Sequence, residues 1–184
     1  MNAPKKATGS PQGGGGKAAS QWPENLQDKI GRENLSADHM RAAYDYWWQT
    51  RGELELPPAD AIDPLRMPRA CLPFIVILEV EASPLRFRCR LTGTRVVDSL
   101  GVDLTGLYID ELPNIEKPLA RMAWCVRERR PYLVEDAVTF APNDYRRYRT
   151  MALPFGDGGQ GVERIVFVFD FDVHLNKAGE DSAG

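Results

Sequence analysis

The sequence has few of the residues on which most catalytic and metal sites depend. It contains two histidines, His39 and His174, and three dispersed cysteines with no CxxC pair. Neither the HExxH motif of zinc enzymes nor the GxSxG motif of serine hydrolases is present. One pair of carboxylates, Asp170 and Asp172, lies on a single predicted strand without further ligands for a metal ion. We therefore predict no metal site, no catalytic residue and no enzymatic activity.

A strong excess of one charge and a long apolar run are also missing. The formal net charge is −3 and the pI is near 5.5, whereas nucleic-acid-binding domains are usually basic. The longest apolar runs, Leu72–Leu78 and Ile165–Phe169, are far shorter than the ~20 residues of a membrane helix. No leader of charged and then apolar residues begins at Met1, and the odd number of cysteines is typical of reduced thiols. These features predict a cytoplasmic protein that binds neither nucleic acid nor a membrane.

Composition divides the chain into four parts. Residues 1–24 are predicted to be a disordered tail, because their glycines, lysines and prolines offer almost nothing that could pack. Residues 25–57 form a predicted N-terminal helical extension, and residues 58–175 form the main domain. Residues 176–184 are polar and are predicted to be a flexible C-terminal tail.

Two segments have the apolar period of an amphipathic helix. The first is predicted from Ser36 to Arg51, with Ser36 as its N-cap and Gly52 as its stop signal. Its apolar stripe consists of Met40, Ala43, Tyr44, Trp47 and Trp48. The second helix is predicted from Lys117 to Arg129. Its apolar stripe consists of Ile115, Leu119, Met122 and Val126, and Trp124 projects from the opposite face.

The apolar period changes to two after Pro73, which indicates strands. Five strands are predicted, at residues 74–80, 85–91, 132–140, 145–155 and 162–173. The first and the last are apolar on both faces, so they belong in the middle of a sheet. Placing them side by side gives an α+β fold with a five-stranded antiparallel sheet of order 2-1-5-4-3 and helices across one face. The N-terminal amphipathic helix is the nearest candidate to cover the other face.

Several short motifs stand in a fixed order between Ala43 and Asp172. They are Trp47-Trp48-x-x-Arg51-Gly52, Asp63-Pro64, Arg88-Cys89-Arg90-Leu91-Thr92-Gly93-Thr94, Gly101-Val102-Asp103-Leu104-Thr105-Gly106, Glu111-Leu112 and Leu153-Pro154-Phe155. Together with the order of elements and strands, these motifs resemble a bacterial branch of the PAS family. The resemblance implies a PAS-like domain at residues 58–175 that serves as a sensory or interaction module. It implies no particular ligand, because PAS domains bind very different ligands or none.

The arginines provide the first candidate site. Guanidinium groups form paired hydrogen bonds with carboxylate and phosphate, so the arginine-rich strands suit an anionic ligand. An exposed strand face explains the same arginines equally well. The predicted ligand-binding residues are Arg88, Arg90, Thr94 and Arg149.

Large apolar side chains provide the second candidate site, an interface. One four-turn helix shields only part of a five-stranded sheet, since a helix is ~10 Å wide and strands lie ~4.8 Å apart. Two such helices, one from each subunit of a two-fold dimer, would cover it better. A tryptophan on a polar helix face is also typical of a partner contact. The predicted interface residues are Met40, Tyr44, Trp47, Trp48 and Trp124.

The leading functional hypothesis is a non-enzymatic, cytoplasmic PAS-type module of bacterial signalling. It would form a homodimer and work through a small ligand, a partner signalling protein or both. The alternative is a small-molecule carrier or an enzyme that uses the cavity between the sheet and the long helix. A third hypothesis, a nucleic-acid-associated regulator, is disfavoured by the acidity of the chain.

No cofactor is expected. In a haem-binding PAS domain the long helix would offer a histidine, and residues 114–130 contain none. A photoactive flavin PAS domain would need a reactive cysteine before that helix, whereas Cys89 lies within a predicted strand. Haem and covalently bound flavin are therefore not predicted, and the small ligand stays unidentified.

Overall fold

The computed structural model describes residues 23–143, 147–157 and 161–171. Apart from Pro23 and Glu24, the predicted tail at residues 1–24 lies outside the described residues, and so does the predicted tail at residues 176–184. Three α-helices and five β-strands follow one another within this part of the chain. They are α1 (Asp38–Arg51), β1 (Ile75–Ala82), β2 (Leu85–Thr92), α2 (Thr94–Leu100), α3 (Glu116–Glu128), β3 (Tyr132–Ala137), β4 (Arg147–Gly156) and β5 (Val162–Asp170).

The strands form one antiparallel sheet of order β2-β1-β5-β4-β3. The predicted fold class and strand order are therefore confirmed. The strand ends differ from the prediction, because β3 ends at Ala137 and β5 ends at Asp170. The predicted start of β4 at Tyr145 and the predicted end of β5 at Val173 lie outside the described residues.

The two central strands, β1 and β5, are apolar on both faces, and each face of the sheet carries its own core. Ile165 and Phe167 of β5 pack in one cluster with the buried residues of α2 and α3. Val166 and Val168 pack in a second cluster with the buried residues of α1. Successive residues of β5 therefore point to opposite faces and contribute apolar side chains to both cores. This is the pattern that predicts a central position for the strand.

Helix α1 covers the second face of the sheet within its own chain. Met40 is fully buried and Trp47 is 2% exposed. The Trp47 indole also donates a hydrogen bond from Nε1 to the Pro154 carbonyl of β4, at 2.8 Å. This contact satisfies the one polar atom of a side chain that is otherwise packed in the core.

Ser36 does not cap α1, contrary to the prediction. The helix begins at Asp38 after Ala37, and no side chain caps it. The Ser36 hydroxyl instead accepts a hydrogen bond from Arg149 Nη1 at 2.8 Å and donates one to the Asp170 carboxylate at 3.5 Å. The tertiary contact with β4 and β5 therefore takes the hydroxyl that local capping would have used.

Irregular segments cover both edges of the sheet. Beside β3, Gln27 and Leu133 exchange two backbone hydrogen bonds of 2.9 and 2.8 Å. Beside β2, the Cys89 amide donates to the Leu107 carbonyl and the Cys89 carbonyl accepts from the Gly106 amide, both at 2.8 Å. Covered edges of this kind prevent further strands from adding to the sheet. No helix in the described part of the chain is long and apolar enough to cross a bilayer.

Gly93 and Gly106 lie at turns, as their positions in the sequence predict, but they are glycine for different reasons. A Cβ atom on Gly93 would lie 2.5 Å from the Pro73 carbonyl oxygen, so α2 starts in direct contact with the backbone before β1. Gly106 has a φ of +87° and open space around it.

We expect Gly93→Ala to lower the free energy of unfolding by about 2–3 kcal/mol through overpacking. Gly106→Ala should cost only about 1 kcal/mol, because its penalty is the left-handed backbone alone. Gly161→Ala, with neither a close contact nor a positive φ, is the control and should change stability by less than about 0.5 kcal/mol. Urea unfolding measures all three, and a Gly93→Ala variant as stable as Gly161→Ala would contradict this account.

Candidate functional site

A cavity of about 40 Å³ lies between α3 and the sheet. Its walls are mostly apolar, and they come from alternate residues of the sheet and from one face of α3 with the segment before it. Sheet residues that line it include Val76, Leu78, Val134, Phe167 and Phe169, and Ile115, Pro118 and Met122 face them. One water molecule needs ~10–15 Å³ by the same kind of measure. The side chains of the core therefore leave room for a small guest.

Arg121 of α3 places a charge in this apolar wall. Its exposure is only 1%. The guanidinium forms an ion pair with the Asp136 carboxylate through Nη2, and Nε donates to the Glu24 carbonyl at 2.9 Å. Burial favours the neutral form of Asp136, but the hydrogen bonds from Arg121 and from the Ala137 amide outweigh it, so the pKa of Asp136 is lowered.

Two tyrosines bring phenol hydroxyls to the same cavity. Tyr132 of β3 is 2% exposed and Tyr148 of β4 is 3% exposed. Burial raises the pKa of Tyr148 to about 12, although the neighbouring Arg121 acts in the opposite direction. Burial also raises the pKa of Tyr132 well above its ordinary value of 10. Both phenols are therefore protonated near neutral pH and able to donate a hydrogen bond.

A surface groove of about 440 Å³ adjoins the cavity between the start of α3 and β3. Pro118 and Tyr148 line both the cavity and the groove. Arg121 lines the cavity, whereas its partner Asp136 lines the groove, with a side chain that is 22% exposed. The ion pair therefore lies at the boundary between the interior space and the surface.

Arg121 is not among the site residues predicted from the sequence, because only one apolar stripe is predicted for the second helix. In the structure the buried residues of α3 are Arg121, Met122, Trp124 and Cys125. A signal for Arg121 exists in the sequence: it stands one turn after Pro118 and one turn before Cys125, on a face that is otherwise apolar. The N-terminal segment, residues 23–30, packs beside that face through Leu26 and through the Glu24 carbonyl.

The predicted ligand-binding residues do not form one site. Arg88 and Arg90 are exposed on β2 and Thr94 is exposed at the start of α2, while Arg149 belongs to β4. Strands β1 and β5 lie between β2 and β4, which corresponds to a separation of roughly 14 Å. Arg90 pairs with Glu79 on the neighbouring strand. The structure therefore does not bring these four residues together, and their role in ligand binding stays a prediction.

Arg149 has its own partners on the far side of the sheet. It pairs with Glu135 of β3 at 2.9 Å and with the Ser36 hydroxyl. The first is a cross-strand ion pair of ordinary type, and the second joins β4 to the segment before α1. They explain this arginine without an external anion.

The predicted interface residues divide into buried and exposed members. Trp124 is 2% exposed and packs edge-to-face on Tyr132, with ring centres 6.1 Å apart. The prediction that Trp124 projects to the surface is therefore wrong, because the N-terminal segment and the sheet enclose more than one stripe of α3. Met40 and Trp47 are buried against their own sheet, so they are not available to a second subunit in this structure.

The other two members of that set lie nearer to the surface. Tyr44 is half-buried and donates a hydrogen bond to the Ile30 carbonyl at 3.1 Å. Trp48 is 44% exposed. The Arg51 guanidinium lies 4.9 Å from the centre of the Trp48 ring, which is within the range of a cation–π contact.

No group of three or more potential metal ligands occurs among the residues that the structure describes. Asp172 and His174 lie outside those residues. All three cysteines are buried and unpaired. Burial raises the pKa of the Cys71 thiol to about 11 and that of Cys125 further, so these thiols are poor nucleophiles near neutral pH.

A protein-family model described as PAS domain matches residues 35–138, which is more than half of the chain. The match extends from the residues before α1 to the end of β3. It includes Arg121, Tyr132 and Asp136 and the motifs around Trp47 and Gly93. The lining residues of β4 and β5 lie beyond it. No curated protein and no solved structure matches the chain.

Proposed function

Because this chain belongs to the PAS domain family, a family of sensory and regulatory modules, we propose that it binds a small ligand in the cavity between the sheet and α3. Binding, rather than catalysis, is the proposed activity. A partner protein in the cytoplasm would bind differently to the ligand-bound and ligand-free forms and so receive the signal. This assignment makes the protein a sensor without chemistry of its own.

The observation that carries the proposal is the cavity itself. Well-packed cores leave few voids larger than a water molecule, and this one lies between elements of both layers. Its lining is mostly apolar, with a small number of polar groups at one side, which is the usual character of a ligand pocket. The adjoining groove provides a route from the surface that ends at Pro118 and Tyr148.

A partner contact through α1 is the second part of the proposal. Its support is the exposure of Trp48, a large apolar side chain beside Arg51 on a helix whose buried face packs against the sheet. Tryptophan and arginine are the residues that most often dominate the energy of an interface. We propose that a second copy of the chain or another signalling protein contacts this pair.

Filling the cavity is expected to abolish ligand binding. Leu78 of β1 lines the cavity and is 1% exposed, and Leu78→Phe adds a ring that projects into the space. Native mass spectrometry of the freshly purified protein and thermal unfolding with benzene, phenol and 1-butanol measure occupancy. A probe at ten times its Kd should stabilise the parent by about 1.4 kcal/mol and the variant by nothing measurable.

Ile77→Phe is the matched control. Ile77 is the preceding residue on β1, equally buried, but it packs in the core on the α1 side. Overpacking should destabilise both variants by roughly 1–3 kcal/mol, whereas only Leu78→Phe should lose the response to probes. An equal response in both variants, or none in the parent, would contradict the proposed pocket.

A further inference from the structure

Arg121 has hydrogen-bonding capacity that the protein does not use. A guanidinium group carries five N–H donors and does not lose its charge. Nε donates to the Glu24 carbonyl and Nη2 to the Asp136 carboxylate. The guanidinium also forms a side-chain hydrogen bond with the Tyr148 hydroxyl, so three of its five N–H groups have partners, while the side chain is 1% exposed and lines the cavity. Buried donors without an acceptor are costly, so a further acceptor for the remaining N–H groups is expected in the cavity.

The Tyr132 hydroxyl is a second unused donor in the same cavity. The residue is 2% exposed, and no described side chain or backbone group forms a hydrogen bond with this hydroxyl. The Thr150 hydroxyl, which also lines the cavity, differs because it donates to the Val168 carbonyl at 3.2 Å. Tyr148, which lines the same cavity, accepts from Arg121, and no hydrogen bond donated by its own hydroxyl is seen within the described residues. The unused donors of the cavity therefore belong to Arg121, Tyr132 and Tyr148.

The charge and size of the space restrict the acceptor that would fit. One buried guanidinium balances one negative charge, which favours a carboxylate over a doubly charged phosphate. The remaining walls are apolar and enclose about 40 Å³, which suits a short hydrocarbon tail. A small monocarboxylate has both parts in one molecule.

Asp136 is the group that such a ligand would replace. Its side chain is 22% exposed and lines the surface groove, where Lys117 also lies. The carboxylate can therefore leave Arg121 and remain solvated beside a cation. Exchange of one carboxylate for another on the same guanidinium keeps the buried charge paired in both states.

We propose that this cavity binds a small monocarboxylate, whose carboxylate pairs with Arg121 in place of Asp136 and accepts a hydrogen bond from Tyr132. The apolar tail of the ligand occupies the space between α3 and the sheet. This inference rests on the proposed function, since it names the class of ligand for the same cavity. It also assigns a role to the ion pair, which closes the cavity when no ligand is present.

The test compares butyrate, butyramide and 1-butanol, which share a hydrocarbon tail and differ in charge. Isothermal titration on the full chain should show butyrate binding at least ten times more tightly than the other two. Tyr132→Phe removes only the unpartnered hydroxyl, so it should leave the thermal midpoint unchanged and weaken butyrate about tenfold. Thr150→Val, whose hydroxyl is already satisfied, is the control and should change the affinity less than twofold.

Asp136→Asn should change the affinity for butyrate in the opposite direction from Tyr132→Phe. It keeps the shape of the side chain and removes the charge that competes for Arg121, so butyrate should bind several-fold more tightly than to the parent. Equal affinities for butyrate, butyramide and 1-butanol would overturn the assignment of the ligand class and leave the proposed pocket standing. Binding of none of the three overturns this inference, while the phenol and benzene series with Leu78→Phe decides the proposed function separately.

Discussion

Replacing Trp47 by alanine is expected to lower the free energy of unfolding by about 3–5 kcal/mol. The same change at the adjacent Trp48 should lower it by less than about 1 kcal/mol. Trp47 is 2% exposed, lies in the core between α1 and the sheet, and donates a hydrogen bond to the Pro154 carbonyl. Trp48 is 44% exposed and contacts mainly Tyr44, Trp47 and Arg51. Two neighbouring residues of the same type thus provide a matched comparison.

Urea unfolding, followed by circular dichroism and by fluorescence, measures both variants. If the slope of the unfolding free energy against urea concentration is unchanged, the parent and the variants expose the same surface area on unfolding. Similar losses in the two variants would contradict the position of α1 on the sheet. Light scattering on the same samples examines the proposed partner contact, because a dimer held through Trp48 would dissociate in Trp48→Ala without loss of stability.

The sheet and its two cores could be predicted because their signals are periodic. Alternation along residues 162–170 places Ile165 and Phe167 on one face and Val166 and Val168 on the other, and both sets are apolar. A strand with two apolar faces must lie between neighbours and between layers. The period of α1 likewise predicts its apolar stripe, of which Met40, Ala43 and Trp47 are buried, whereas Tyr44 is half-buried and Trp48 is 44% exposed. The periodic pattern of apolar residues predicts burial best where one face of an element packs against one neighbouring element.

The candidate site could not be predicted because it depends on contacts distant in sequence. Arg121 pairs with Asp136 across the gap between α3 and β3, and its second acceptor, the Glu24 carbonyl, comes from almost one hundred residues away. The N-terminal segment that supplies this carbonyl has no helical or strand period. Leu26 of the same segment packs against the cluster that contains Trp124, which is 2% exposed although a single apolar stripe predicts it at the surface.

The arginines predicted to bind a ligand show a second limit of prediction from sequence. Arg88, Arg90 and Arg149 were grouped by residue type, and grouping by type carries no information about which strands are neighbours. The strand order that the same sequence predicts already separates β2 from β4 by two strands. The predicted strand order therefore already separates Arg88 and Arg90 from Arg149. Grouping by type also misses Arg121, which shares α3 with the exposed Arg127 and differs from it only in burial.

The ion pair between Arg121 and Asp136 leads to the second large expected effect. Asp136→Ala leaves the buried guanidinium with only the neutral Glu24 carbonyl and Tyr148 hydroxyl as acceptors, and we expect a loss of about 3 kcal/mol in the free energy of unfolding at pH 7. Asp45→Ala is the control, since its pair with Arg32 is more than half exposed on the arginine and half exposed on the aspartate. That surface pair should contribute less than about 1 kcal/mol.

The pH dependence of this loss has a definite sign. The pKa of Asp136 is lowered below its ordinary value of 3.8, so the ionised carboxylate stabilises the folded state at every pH above that value. As the pH falls through the lowered pKa, the carboxylate takes up a proton and the contribution disappears. The difference between the parent and Asp136→Ala should therefore be constant from pH 7 to about pH 5 and shrink toward pH 3. A difference that grows on acidification would show that burial, and not the guanidinium, dominates the environment of Asp136.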